Sequence, residues 1–161
     1  MKKYLLASIL FLVFILSGCG DDPVQEDLLN YVNKATPKLA KEEGKAVGAY
    51  SSVTGTNYTD DLTMYNVLLD EVIPEYNQFI DDLESVDVKT NELRKIHENY
   101  IEAANIQADA FLTLVTALEN QDSALVNEAN GKLNKARKMM RNYKQDIKNL
   151  AKEHDVELKK K

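Results

Sequence analysis

The chain predicts an all-α fold, specifically an antiparallel up-down-up-down four-helix bundle, on three observations. Apolar residues recur at alternating steps of three and four over four long stretches, the spacing that keeps one stripe of a helix turned toward its partners. The segments joining those stretches are short, which makes successive helices antiparallel neighbours. Glycine and proline are scarce, six and three in 161 residues, too few for the many turns of an all-β design.

Residues 1–18 stand apart from the bundle. Met1-Lys2-Lys3-Tyr4 is a basic start, residues 5–16 form an apolar run too short to cross a bilayer permanently, and Ser17 and Gly18 are small, the pattern of a cleaved export signal. Cys19 follows, the only cysteine, so an exported chain holds no disulfide partner for it. Leu16-Ser17-Gly18-Cys19 resembles the lipobox of bacterial lipoproteins. The resemblance implies cleavage after Gly18, a diacylglycerol thioether on Cys19 as the only attached group, an acylated (palmitate) or free new N-terminus, and a place on the cell membrane facing outside the cytoplasm. Two acyl chains anchor stably where one binds marginally. Residues 19–22 are then the lipidated anchor and a leash of at most about 10 Å, residues 23–158 the bundle, and residues 159–161 a tail of three lysines.

Loss of 18 residues from 161 leaves 143, a one-domain length. Lys2 and Lys3 leave with the signal, taking the net charge from −6 to −8, which argues against a nucleic-acid partner.

Asp22-Pro23 reads as an N-cap followed by proline at the first helical position, with Glu26 and Asp27 in the first turn. The first seam is Leu28, Val32, Ala35, Leu39, Ala46, Ala49 and Val53, interrupted by Glu42 and stopped by Gly55. Thr59 is the expected cap of the second helix, whose seam is Leu62, Tyr65, Leu69, Val72, Tyr76, Phe79, Leu83 and Val86. Pro37 and Pro74 fall on outer faces, so both helices are expected to bend and continue rather than break. After residues 87–90 the third seam runs Leu93, His97, Tyr100, Ala104, Gln107, Phe111, Leu114 and Leu118, with Ala103, Ala110 and Ala117 beside it permitting close approach. Asp122 caps the fourth helix, which carries Val126, Ala129, Leu133, Ala136, Met140, Tyr143, Ile147 and Leu150.

In this topology the termini and residues 87–90 share the membrane end, where the lysine tail faces the headgroups. The other two loops form the distal tip, and Thr56, Asn57, Tyr58, Asn120 and Gln121 there are the candidate partner contacts. Glu42 and Gln107 interrupt two seams at similar heights and are expected to meet as a buried polar layer that fixes register. Charge is uneven: residues 46–88 hold no Lys or Arg, while the fourth helix gathers eight cations over residues 132–152 against Asp146 alone. Two such helices lie diagonally in a simple bundle, which suggests a protein partner or a homodimer.

There is no Glu-x-x-His pair, phosphate loop, zinc spacing or nucleophile elbow, so neither a catalytic nor a metal residue is assigned. The sequence therefore points to a non-enzymatic binding or interaction module at the bacterial membrane. Surface exclusion or immunity, and solute sensing, are the alternative roles of such a lipoprotein.

Overall fold

Asp22 opens the first helix as its sequence predicts: Oδ1 accepts the N–H groups of Val24 and Gln25 at 3.0 and 3.2 Å, and Pro23, which has no N–H to satisfy, takes the first position. In the computed structural model, residues 22–158 are described, so Cys19 with its signal and the tail at residues 159–161 lie outside the described residues. Helix α1 covers residues 23–52, α2 residues 61–84, α3 Asn91–Asn120 and α4 Ser123–Glu153. The described residues contain no strand, and no helix among them is long and apolar enough to cross a membrane.

Both prolines lie inside continuous helices, and each is accommodated in the same way. Helix α1 runs as Pro23–Asn30, a π-helical turn Tyr31–Ala35, then Thr36–Ser52; α2 runs as Asp61–Val67, a π-helical turn Leu68–Val72, then Ile73–Glu84. In each the residue just before proline donates its N–H five residues back, Thr36 to the Tyr31 carbonyl and Ile73 to the Leu68 carbonyl. Widening the turn relieves the clash between the proline ring and the carbonyl four residues earlier. Thr36 Oγ1 adds a second bond to the Tyr31 carbonyl at 3.1 Å.

A wider turn holds one extra residue, and this changes which side chains face inward. In α2 the buried stripe is Met64, Leu68, Val72, Tyr76, Phe79 and Leu83, opening with three successive steps of four. The expected seam members Leu62 and Leu69 are 68% and 39% exposed, a correction caused by the inserted residue rotating everything upstream by about 100°. In α1 the same device turns Tyr31 inward beside Leu28. The cap of α2 is also corrected: Asp60, not Thr59, accepts from Thr63 N–H and Oγ1, both at 2.8 Å, because its carboxylate reaches two donors at once.

Helix α4 packs along α3, where Ala103, Ala110 and Ala117 on one side and Ala129 and Ala136 on the other are almost wholly buried. The second part of α1 packs on the second part of α2, and α2 on α3. Lys38 pairs with Asp82 at 2.9 Å and Lys45 with Glu75, so α1, not α4, neutralises part of the acidic α2. Helices α1 and α4 meet through side chains: Gln25 Nε2 donates to the His154 carbonyl at 2.8 Å, and His154 Nδ1 lies 2.7 Å from Asp22 Oδ2.

Asp27 does more than complement its own helix. It is buried, and Oδ2 accepts from Lys89 N–H, Thr90 N–H and Thr90 Oγ1 at 3.0, 2.8 and 2.8 Å. Thr90 makes no side-chain cap for α3, so a carboxylate from α1 serves the start of α3 instead.

Two measurements test these assignments. Deleting exposed Asp70 together with Pro74→Ala converts the π-turn to an ordinary turn with the stripe in phase, and is expected to cost less than about 2 kcal/mol in urea denaturation. Deleting Asn77, in the regular part of α2, is expected to abolish cooperative unfolding. Asp27→Ala strands three donors of the 89–90 segment, and its urea midpoint is expected to fall by the equivalent of about 3 kcal/mol.

Candidate functional site

The inward turn of Tyr31 starts a chain of polar contacts across the core. Its hydroxyl lies 3.0 Å from His97 Nδ1 and accepts from the Tyr143 hydroxyl at 3.1 Å. With Tyr31 donating to Nδ1, the ring proton of neutral His97 sits on Nε2, which is buried without a hydrogen-bond partner. Burial pushes the His97 pKa down, against a smaller pull from the Leu83 backbone. Tyr143 stacks on Tyr100 with ring centroids 4.4 Å apart and planes 28° from parallel. Tyr100 in turn donates to Glu43 Oε2 at 3.1 Å.

Glu43 is where this chain reaches solvent. Burial pushes its carboxyl pKa up, opposed by the hydrogen bond from Tyr100 and the charge of Lys144. It lies in an open groove of about 460 Å³ between the second half of α1 and the middle of α4. Helix α1 supplies Glu43, Val47, Tyr50 and the Ser51 hydroxyl, and the turn after it the Thr54 hydroxyl; α3 supplies Gln107; α4 supplies the apolar Leu133 and Met140 with Arg137, Arg141 and Lys144. None of these three cations has an ion-pair partner among the described residues, whereas Lys132 on the same helix is held by Asp109 and Glu128, both at 2.8 Å. The groove thus sets apolar Val47, Leu133 and Met140 among polar groups, with one half-buried acid and three cations lacking ion-pair partners among the described residues.

The expected pairing of Glu42 with Gln107 does not form. Glu42 faces Lys38, with Nζ and Oε1 3.7 Å apart, and the polar contact with α3 falls one residue later, where Tyr100 donates to Glu43. Gln107 lines the groove alongside Glu43. Both phases satisfy alternating steps of three and four: 39, 42, 46, 49, 53 and 39, 43, 46, 50, 53. Residues 42 and 43 are both half-buried, and it is Glu43 that meets a donor from α3, Tyr100. A search for phenols in register with acids finds this contact, whereas hydropathy alone does not.

At the other candidate site the residues separate by role. Asn57 Nδ2 donates to the Ser51 carbonyl at 3.0 Å, closing the end of α1, and Thr56 is exposed beside it. Gln121 holds φ at +53° with Asp122 N–H bonded to the Ala117 carbonyl at 2.9 Å, the left-handed stop of α3 next to exposed Asn120. Tyr58 lines a cavity of about 440 Å³ shared with Met64, Leu114, Leu118 and Val126. Its hydroxyl is held by Asp61 at 2.7 Å. Cys19, the candidate lipidation site, lies outside the described residues. Among the described residues no three His, Cys, Asp or Glu side chains converge as a metal site.

The two titrating groups of the core chain have opposite effects on stability. The folded His97 pKa lies below 6.5, so the unfolded chain takes up more protons under acid; stability linked to this ring is intact above about pH 6.5 and lost as pH falls through and below it. Glu43, raised above 4.5, relieves a cost as pH falls toward that value. The urea midpoint of His97→Gln is expected to fall less than that of wild type between about pH 7.5 and about pH 5.5, with Glu43 present in both proteins. No protein-family model, curated protein or solved structure matches this chain, so its function is read from the site itself.

Proposed function

We propose that the chain is a lipid-anchored bacterial lipoprotein, displayed outside the cytoplasm on the cell membrane, whose up-down-up-down four-helix bundle is a non-enzymatic binding module. The observation that carries the binding role is the groove between α1 and α4, with its apolar Val47, Leu133 and Met140, half-buried Glu43 and three cations lacking ion partners among the described residues. Polar groups converging on a concave surface are what recognition requires. No arrangement of nucleophile and base accompanies them in that groove.

Three features support the remaining parts of this reading. The lipobox-like Leu16-Ser17-Gly18-Cys19 ends three residues before Asp22, so an acylated Cys19 keeps the domain within about 10 Å of the headgroups. Asp22 and Gln25 are bonded to His154, and Asp27 to Lys89 and Thr90, which joins the start of α1, the start of α3 and the end of α4 at one end. Tyr65 of α2 donates to Glu119 of α3 at 2.8 Å at the opposite end. These contacts support the reading of four antiparallel helices with the anchored end at residue 22.

The test compares wild type with Cys19→Ser in a bacterial host, by membrane fractionation and by mild crosslinking. Wild type is expected in the membrane fraction with Cys19→Ser processed poorly or released. A single dominant crosslinked species is expected from wild type, and its loss on Arg141→Glu identifies the groove as the contact. Equal membrane retention of both proteins rejects Cys19 as the anchor.

A further inference from the structure

The binding role proposed above leaves the ligand open, and the chemistry of the groove narrows it. Arg137 and Arg141 stand one helical turn apart on α4, with Lys144 three residues further on. The Arg137 guanidinium is steadied by Asn134 Oδ1 at 3.0 Å, and no carboxylate within ion-pair distance of the three cations appears among the described residues. Opposite them α1 and the turn after it present Tyr50 and two hydroxyls, Ser51 and Thr54, while Val47, Leu133 and Met140 line the groove between. Ser51 and Thr54 already donate to backbone carbonyls of α1, Val47 and Tyr50, so their oxygens remain as acceptors.

From this we infer that the groove binds a small organic anion, its acid group held by Arg141, Arg137 and Lys144 and its short apolar body against Val47, Leu133 and Met140. A volume of about 460 Å³ suits a ligand of small-molecule size, and a planar guanidinium fork matches a carboxylate, sulfonate or phosphate oxygen pair. The inference deepens the binding role and rests on it.

A proton accompanies the anion. Glu43 faces Tyr76 from α2, Tyr100 from α3, and Tyr143 and Lys144 from α4, while Arg137 and Arg141 line the same groove. Of these only Lys144 and the two arginines are charged near neutral pH, and an incoming anion competes with Glu43 for them. Binding therefore raises the affinity of Glu43 for a proton, and by linkage acid strengthens anion binding. The proton comes from solvent and returns to it on release.

The probe is hexanesulfonate, whose charge does not change across the working pH, with hexylammonium as the cationic control of equal chain length. The full chain is held in phosphatidylcholine nanodiscs and titrated calorimetrically against empty discs. Hexanesulfonate is expected to bind at least about tenfold tighter than hexylammonium, and tighter at about pH 5.5 than at about pH 7.5. Arg141→Gln and Lys144→Gln are each expected to weaken it by about fivefold or more. Lys135→Gln, an exposed cation of α4 outside the groove, is expected to change nothing. Glu43→Gln is expected to keep the binding and lose its pH dependence.

Equal binding of the two probes, or affinity unchanged by both Arg141→Gln and Lys144→Gln, overturns the inference. These substitutions are on the surface of α4, so unchanged thermal melts are expected to show that the fold is intact. Failure here with a crosslinked partner still present leaves the binding module standing and removes only the small anion. Success here with Cys19→Ser retained at the membrane removes the lipid anchor and leaves the anion site in place.

Discussion

Much of this molecule follows from one restriction, that proline cannot donate a backbone hydrogen bond and crowds the carbonyl four residues before it. Pro37 and Pro74 sit six residues after Tyr31 and Leu68, and each is preceded by a π-turn that begins at that residue. A kink is the commoner outcome; here the wider turn keeps both helices continuous. The inserted residue also resets the angular phase, so it selects the core. Leu68 and Met64 enter it while Leu69 and Leu62 leave, and in α1 the turn begins on Tyr31, the phenol on which the buried polar chain depends.

That chain is costly to bury and is therefore nearly fully bonded. Tyr31, Tyr143, Tyr100 and Glu43 each have a partner, and the stacked pair Tyr100 and Tyr143 bridges the two hydrogen-bonded halves. The exceptions are His97 Nε2 and the Tyr76 hydroxyl, both buried without a hydrogen-bond partner. Burial raises the pKa of Tyr31, Tyr76, Tyr100 and Tyr143 and lowers that of His97, so these five side chains stay uncharged near neutral pH, and the chain opens to the groove at Glu43. Hydrogen bonds of this kind fix which side of each helix faces the others, a specificity that apolar contacts alone do not supply.

Charge is arranged around the same groove. Lysines of α1 neutralise Asp82 and Glu75 on α2, and Lys132 of α4 is taken by Asp109 and Glu128. The remaining cations of α4 are left to solvent or to a ligand, and three of them border the space between α1 and α4. Most of the buried alanines lie on α3 and α4, while bulkier Tyr31 and Tyr143 meet between α1 and α4.

The sequence by itself determined the helical class, the four helices and several of their ends, because these depend on local chemistry: periodicity, Asp22 with Pro23, Asp122, and the stop near Gly55. It also carried the lipobox-like motif, whose meaning lies in covalent chemistry rather than in packing. What it left open were choices between two local solutions of similar quality. Residues 42 and 43 both fit the first seam, residues 68 and 69 both fit the second, and Asp27 suited its own helix as well as the start of α3. Only the tertiary structure decided these, because the deciding partners are distant in sequence: Tyr100 for Glu43, the π-turn together with the packed core for Leu68, and the bare N–H groups of Lys89 and Thr90 for Asp27. The groove belongs to the same class, since its walls come from helices at opposite ends of the chain and exist as a concave surface only when those helices are folded together.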